Sequence, residues 1–347
     1  MSIEDRISIL KNLGSVLTEI GKGNDWNGFE LGVTEEEFNH VVQVVNSAKV
    51  YNGWFEVKEV QRAFLSWGAA LNSVDLKNWT DQYNFENQDK TVGIIMAGNI
   101  PLVGLHDLIS VYVSGNISII KLSSDDPVLI PAILKVWKCF DPQIHDVVKV
   151  VTGKFENFDA VICTGSNNTA RYFEEYFGKY PNIIRKSRTS VAIIDEGTSQ
   201  EELAEIGHDI FDYYGLGCRN VTKLYLPEGY DLNNVFGAIF PWQNVTDNKK
   251  YGNNYDYHKA VFLMEQYDVI ENGFILFKQD DALISPIGTL YYDYYSNKES
   301  VESILEERKD QIQCVVGKNR IPFGQAQHPK LWDYADGVDT LAFLANL

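Results

Sequence analysis

Four stretches carry residue types that can do chemistry. Cys218 follows a glycine-flanked turn, Gly215-Leu216-Gly217, between a helical pattern and a strand. Two glycines permit tight backbone geometry and close approach of a carbonyl group to the sulfur. A thiol placed this way can attack a carbonyl or thioester once its surroundings bring its pKa toward neutrality. The same residues also fit a buried cysteine packed beside a turn. Asn99, in Ala97-Gly98-Asn99-Ile100-Pro101-Leu102, comes directly after an apolar run ending at Met96. At the carboxyl end of a parallel strand its amide could donate to an oxyanion, while Gly-Asn before Pro also writes an ordinary turn. Lys121 and Ser123 leave a second apolar run; they suit a ribose or a 2′-phosphate and equally suit a solvated loop. Gly165 and Ser166, in Cys163-Thr164-Gly165-Ser166, precede a helix expected from Asn167, and amides with a hydroxyl at a helix start form a phosphate seat.

The elements that must position these groups are legible as periodicity. Ile3, Ile7, Leu10, Leu13, Leu17 and Ile20 recur at helical spacing, Thr34 with Glu37 signals a capping box, and a third helix is expected over 57–71. From Thr91 short apolar runs alternate with helical stretches. Strands are expected at 92–96, 117–122, 147–151 and 160–163, with helices over 102–113, after Pro127 and over 167–177. That alternation predicts parallel βαβ units and a doubly wound sheet. The pattern continues with strands at 191–195, 223–226, 274–278 and 289–295 and helices over 200–213, 232–239 and 298–307. No linker rich in Gly, Pro or Ser separates the parts.

Composition narrows the setting. The 347 residues suggest about two domains. With 30 Lys+Arg against 48 Asp+Glu the formal charge is −18, which argues against a groove for nucleic acid, since gripping a phosphate backbone needs clustered cations. Cys139, Cys163, Cys218 and Cys314 are scattered without a C-x-x-C pair, so neither a disulfide framework nor a zinc site is signalled, and no metal is expected. No run approaches the ~20 apolar residues that span a bilayer, and a cytoplasmic protein is expected. The G-x-G-x-x-G dinucleotide fingerprint, the G-x-S-x-G elbow, H-E-x-x-H and the Walker lysine loop are all missing.

Taken in order, Asn99-Ile-Pro-Leu102, Lys121-Leu-Ser-Ser124, Thr164-Gly-Ser166, Lys186-Ser187 before an apolar strand, Gly215-x-x-Cys218 and Pro322-Phe-Gly324 resemble the landmarks of the aldehyde dehydrogenase superfamily. Within it, the stretches 97–102, 214–220 and 321–337 resemble the LuxC-type long-chain fatty acyl-CoA reductases. The resemblance runs from about Thr91 to the C-terminus. It implies an α/β, aldehyde dehydrogenase-like fold: a Rossmann-like cofactor-binding domain with a helical N-terminal segment over 1–190, an α/β catalytic domain over 191–321, and a C-terminal segment over 322–347 at the active-site mouth or an oligomer interface. It also makes Cys218 the nucleophile that takes an acyl group from a thioester, and Asn99, with the Cys218 amide, the stabiliser of the tetrahedral oxyanion. Lys121 and Ser123 would hold the adenosine ribose or its phosphate, and Gly165 and Ser166 the pyrophosphate, of NADPH. The implied reaction is reduction of a fatty acyl-CoA or acyl-protein thioester to the aldehyde through a thiohemiacetal. The implied partners are an acyl-protein synthetase or transferase and further copies of the same chain.

Two departures sharpen the reaction class. Aldehyde-oxidising members carry a glutamate a few residues before the Lys-Ser pair, where it activates water. The run Asn182-Ile-Ile-Arg-Lys-Ser-Arg-Thr-Ser190 has no carboxylate, which favours reduction of a thioester over oxidation to an acid. The ribose-binding glutamate before a Phe-Gly-Pro turn is replaced by Ser285-Pro286-Ile287-Gly288. The rival readings are reduction of an acyl phosphate and a non-redox acyl carrier or acyltransferase using the same cysteine; the absence of a glycine-rich helix start within 152–159 keeps the latter open. Two tyrosine-rich runs, 251–258 and 291–295, fit either an acyl tunnel or packing, and His208 and His258 are candidate proton donors to a departing thiolate.

Overall fold

The computed structural model describes residues 1–85 and 90–347. They divide into two compact units, one formed by Met1–Lys186 with Lys330–Leu347 and the other by Ser187–Pro329.

The first unit opens with four helices, α1 (Ile3–Gly21), α2 (Glu35–Ser47), α3 (Val57–Ala70) and α4 (Ser73–Thr80). The capping box forms as the spacing predicts: Thr34 Oγ1 accepts the Glu37 N–H at 3.2 Å and the Glu37 carboxylate accepts the Thr34 N–H at 2.8 Å. The stripe Leu10, Leu13, Leu17 and Ile20 is buried. Helices α1 and α3 cross closely enough that a Cβ on Gly68 would lie 2.2 Å from Thr18 Oγ1.

Next come β1 (Thr91–Ile95), α5 (Leu105–Ser114), β2 (Ile117–Lys121), α6 (Leu129–Phe140), α7 (Ile144–Val147), β3 (Val148–Val150), β4 (Ala160–Thr164), α8 (Asn167–Phe177) and β5 (Asn182–Arg185). The five strands are parallel in the order β3-β2-β1-β4-β5. Val92 and Ile94, on one face of β1, are completely buried and Gly93 on the other face is buried too, as a strand covered on both faces requires. The chain leaves β1 toward β2 and β3, then returns to lay β4 and β5 on the other side. The carboxyl ends of β1 and β4 therefore flank the point where strand order reverses, the place where open α/β sheets take ligands. Helix α5 starts three residues later than its apolar pattern predicts, because Leu102 takes a left-handed backbone, φ 60°, just after Pro101.

The second unit runs β6 (Thr189–Ile193), α9 (Gln200–Phe211), β7 (Val221–Pro227), α10 (Asn233–Ile239), α11 (Lys249–Met264), β8 (Val269–Glu271), β9 (Leu276–Gln279), β10 (Thr289–Tyr295), α12 (Lys298–Glu307) and β11 (Ile312–Val316). Its sheet has the order β11-β6-β7-β10-β9-β8, parallel except for the β8–β9 hairpin. Helix α12 packs Val301 and Leu305 on Val191, Tyr225, Tyr295 and Ile312 of that sheet. Helix α11 covers the first tyrosine-rich run, which the periodicity did not reveal as helical. Asn248 starts it by accepting the Lys250 and Tyr251 N–H groups at 2.9 and 3.2 Å.

Residues 330–347, ending in α13 (Thr340–Ala345), fold into the first unit. Trp79 Nε1 donates to Tyr334 Oη at 2.8 Å and Tyr83 Oη donates to Asp339 at 2.7 Å. Beneath α13, Arg185 donates to Thr340 Oγ1 at 3.0 Å and pairs with Asp107 of α5, all three side chains being buried.

Candidate active site

In the first unit, five of the residues singled out from the sequence gather along one sheet edge. Ile95, at the end of β1, sits in register with Lys121 of β2 on one side and Cys163 of β4 on the other. Lys121 is exposed there, and the loop carrying exposed Asn99 leaves β1 beside it. That loop is fastened at both ends. Buried Asn52 donates through Nδ2 to the Gly98 carbonyl at 3.3 Å. The Leu102 N–H donates to buried Asp126 at 3.4 Å, and the same carboxylate accepts the Leu129 N–H at 3.2 Å. Burial pushes the Asp126 carboxyl up to about 6, against the pull of those backbone donors.

Gly98 is required by space: a Cβ there would lie 2.7 Å from both Cβ and Oγ of Ser123. Ser123 is thus wedged against the Asn99 loop, and its hydroxyl accepts the Asp125 N–H at 3.2 Å while keeping its own proton to donate. Ser166 caps α8, accepting the Thr169 N–H at 3.2 Å, with the Thr169 hydroxyl at 2.9 Å. The Gly165 N–H donates to the Arg185 carbonyl at 3.3 Å. Two of the amides expected to seat a phosphate are therefore engaged inside the protein, and Lys121 is the exposed cation in register with the end of β1, Arg185 of β5 being buried and paired with Asp107. Cys163, buried behind it, has its thiol pushed up to about 12 by desolvation and by Asp107.

In the second unit, α9 ends at Phe211 and the chain takes three successive left-handed residues, Tyr213 (φ 54°), Tyr214 (φ 57°) and Gly215 (φ 78°). Two tyrosines in that conformation cost about 1 kcal/mol each, so the surroundings must impose it. Asn220 does so. Fully buried, it accepts the Gly217 N–H at 2.8 Å and donates to the carbonyls of Asp212 at 2.8 Å and Asp209 at 3.1 Å. Between these anchors Cys218 is the one exposed cysteine; Cys163 and Cys314 are buried and Cys139 is half-buried.

Behind the thiol, Ser190 of β6 donates its hydroxyl to the Cys218 carbonyl at 3.0 Å and accepts the Cys314 N–H at 3.2 Å. Asp209, also fully buried, accepts the Gly324 and Ala326 N–H groups at 2.7 and 2.9 Å, which ties the Pro322-Phe-Gly324 landmark under the end of α9. Burial pushes this carboxyl up to about 6. Arg219 reaches the Ala326 carbonyl at 3.5 Å from the other side of the turn. Asn52, Asp126, Ser190, Asp209 and Asn220 all escaped assignment from the sequence. Asn220 alone left a signal, an asparagine placed three residues after a turn glycine, where Asn side chains reach back to backbone amides.

His208 and His258 are both otherwise occupied. His208 Nδ1 lies 3.2 Å from buried Asp212, with its ring edge-on to Trp242 at 4.7 Å. His258 packs on Tyr257 and Phe262, and burial holds its pKa below the ordinary imidazole range. Within the tyrosine runs, Tyr251, Tyr255, Tyr291, Tyr292 and Tyr295 are buried, Tyr255 donating to Glu271 and Tyr295 to the Ile194 carbonyl, whereas Tyr257 is exposed. In the carboxylate-free run, Asn182 donates to the Tyr180 carbonyl at 2.8 Å and Arg185 is committed to Asp107. Among the described residues no three His, Cys, Asp or Glu side chains are placed to hold a metal ion, and no helix is long and apolar enough to cross a membrane.

Comparison with solved structures confirms the architecture. Aldehyde dehydrogenase 21 from Physcomitrella patens superposes with a TM-score of 0.64 at 12% identity, over 92% of this chain and 74% of that one. An NADP-dependent enzyme of E. coli gives 0.66 at 13%, over 91% and 73%. At such identities the likeness speaks for the fold, which is that of the aldehyde dehydrogenases. Among curated proteins, the long-chain acyl-protein thioester reductase of Aliivibrio fischeri is 23% identical over 364 residues, covering 92% of this chain and 72% of that protein. The long-chain acyl-protein thioester reductase 2 of Photobacterium leiognathi is 23% identical over 147 residues, covering 38% of this chain and 30% of that protein. The family model described as Acyl-CoA reductase (LuxC) matches residues 49–235, more than half of the sequence and a span that includes both the Asn99 loop and the Cys218 turn, so the chain belongs to the acyl-CoA reductase (LuxC) family.

Proposed function

We propose that this protein reduces a long-chain fatty acyl thioester to the aldehyde, with Cys218 as the acyl-accepting nucleophile. The observation that carries the reading is the contrast among the four thiols. Only Cys218 is exposed, and it sits on a turn whose backbone is fixed by Asn220 and Ser190. Fixing the backbone on both sides of the sulfur lowers the reorganisation needed to reach an attacking geometry.

In this reading the Cys218 thiolate attacks the thioester carbon, Asn99 and the Cys218 amide donate to the oxyanion, and the donor's thiol departs to leave an acyl-cysteine. A dinucleotide, if held at the sheet edge of the first unit, would supply the hydride that takes the acyl group to the aldehyde level. Lys121 would meet its ribose or 2′-phosphate, which is the reason for preferring NADPH, and the Ser123 and Ser166 hydroxyls are the further donors at that edge. The run 182–190 has no carboxylate and so offers no general base to hydrolyse the acyl-enzyme, and the acyl group waits for hydride. Collapse of the thiohemiacetal breaks the carbon–sulfur bond, releases the aldehyde and returns the Cys218 thiol.

The acyl donor is acyl-CoA or an acylated protein, and an acyl-protein synthetase or transferase is the expected partner. The test is to mix the full chain with tetradecanoyl- or hexadecanoyl-CoA and NADPH, following absorbance of the reduced nicotinamide and aldehyde by gas chromatography. Stoichiometric aldehyde that vanishes in Cys218→Ala supports the reading. The engaged amides of Gly165 and Thr169 favour a second reading, an acyl carrier or acyltransferase that does not use a dinucleotide. It predicts acylation of Cys218 with no aldehyde and no oxidation of NADPH or NADH.

A further inference from the structure

The second unit has a cleft of about 420 Å³ at the end of its sheet opposite the Cys218 turn. Ser190, which holds the Cys218 carbonyl, is the second residue of β6, whereas Asp195, which lines the cleft, lies just past its carboxyl end. Five residues of strand place the two about 16 Å apart. The cleft therefore plays no part in the chemistry proposed for the thiol.

Its position is one where open α/β sheets take ligands, outside the carboxyl ends of parallel strands. Ile193 and Tyr295 end β6 and β10, and Lys318, Asn319 and Arg320 follow β11. Helix α12, ten residues long, starts at the cleft with Lys298, after Asn297 caps it by accepting the Ser300 N–H at 2.9 Å. The Ser300 N–H is taken by this cap, as the Thr169 N–H is in α8, so what the start of α12 offers a negative group is the Lys298 and Glu299 N–H groups and the positive end of the helix dipole.

The side chains supply matching charge. In a chain with a large excess of acids, this cleft has three cations, Lys298, Lys318 and Arg320, to two carboxylates, Asp195 and Glu302. The carboxylates are held in place: Lys298 Nζ lies 3.0 Å from Asp195, Tyr295 Oη donates to Asp195 at 3.1 Å, and Arg320 pairs with Glu302. Lys318 is exposed and has no carboxylate partner among the described residues. Fixed carboxylates accept sugar hydroxyls, while a guanidinium and a lysine beside a helix start accept a phosphate.

We propose that this cleft is a second ligand site, taking a small hydroxylated phosphate ester of the size of a sugar phosphate or nucleoside monophosphate. The phosphate meets Lys318, Arg320 and the start of α12, and the hydroxyls meet Asp195 and Glu302. A volume of this order lies within the usual range for small-molecule sites.

Calorimetric titration of the full chain tests this with ribose 5-phosphate, AMP, inorganic phosphate and coenzyme A. Saturable binding of ribose 5-phosphate or AMP below about 10 mM is expected, with inorganic phosphate roughly tenfold weaker for want of hydroxyl contacts. Lys318→Ala, which removes an exposed side chain and disturbs no ion pair, should weaken binding roughly fivefold to tenfold, Arg320→Ala at least as much, and Cys218→Ala not at all. Coenzyme A binding that is lost in Lys318→Ala would identify the nucleotide part of the coenzyme as the ligand. Ribose 5-phosphate binding without coenzyme A binding would identify a free metabolite. No saturable binding of any of the four, or binding unmoved by both substitutions, overturns the proposal.

Discussion

Asn220 accepts the Gly217 N–H at 2.8 Å, so the residue just before the exposed Cys218 is held by the residue two positions after it. The same side chain donates to carbonyls at the end of α9, which makes one buried amide the joint between helix, turn and β7. Asn220→Ala strands these groups without water and should lower the unfolding free energy by about 3 kcal/mol. In conditions where the variant stays folded, acylation of Cys218 should slow by roughly tenfold or more, as acyl-enzyme formation under rapid quench would show. Equal rates in the folded variant would remove Asn220 from the positioning of the nucleophile.

Ser190 is a subtler probe, because only its hydroxyl links the Cys218 carbonyl to β11. Ser190→Ala should cost about 1–2 kcal/mol in a urea titration, with m unchanged. Ser190→Thr, keeping a hydroxyl but adding a methyl in a fully buried place, should cost a similar amount through overpacking while restoring part of the acylation rate.

The four thiols should react in a fixed order. Iodoacetamide at neutral pH is expected to modify Cys218 first and Cys139 later, with Cys163 and Cys314 protected until the protein unfolds. Burial pushes the Cys139 and Cys163 thiols up to about 11 and about 12 and raises that of Cys314 as well. Peptide mapping after timed quenching gives the order. Early labelling of Cys163 would contradict the described core.

Asp209 makes a pH prediction. Its folded carboxyl titrates near 6, above the ordinary aspartate value of 3.8, so the folded state holds the extra proton between those values. Stability from this group is complete below about pH 4 and is lost as the pH rises through about 6. Asp209→Asn has no such dependence. Its stability relative to the parent should therefore rise by about 1–3 kcal/mol between pH 4 and pH 7, read from paired urea titrations, with any loss of the Gly324 and Ala326 hydrogen bonds appearing as a constant offset.

Lys121 is exposed, so Lys121→Ala should leave stability within about 0.5 kcal/mol. If it meets a 2′-phosphate, KM for NADPH should rise roughly tenfold or more with kcat little changed, and KM for NADH should hardly move. An equal rise for both nucleotides would place the lysine elsewhere on the cofactor.

Much of this architecture was legible because the parallel strands are short, apolar and evenly spaced. β10 and α12 begin and end where their patterns predict, as does α8. Helix α11 was hidden because its sixteen residues bury only Tyr251, Tyr255 and Phe262, too few to write a period. The start of α5 was misplaced because a left-handed leucine leaves no mark on an apolar pattern. The order of landmarks pointed to Cys218, Asn99, Lys121, Ser123 and Ser166, each at a strand end or a turn. The residues that hold those turns, Asn52, Asp126, Ser190, Asp209 and Asn220, were not legible. A buried polar side chain is defined by partners distant in sequence: Ser190 lies 124 residues from Cys314, and Asp209 lies 115 from Gly324.

The central claim is that Cys218 carries the acyl group and reduction removes it. Intact-mass spectrometry of the full chain, incubated with hexadecanoyl-CoA and then divided between buffer and NADPH, tests it most directly. The account predicts one acyl adduct, mapped to the Cys218 peptide, that persists in buffer, disappears with NADPH as hexadecanal forms, and never forms in Cys218→Ala. An adduct of undiminished yield in Cys218→Ala, or one on Cys218 that neither NADPH nor NADH discharges, would contradict it.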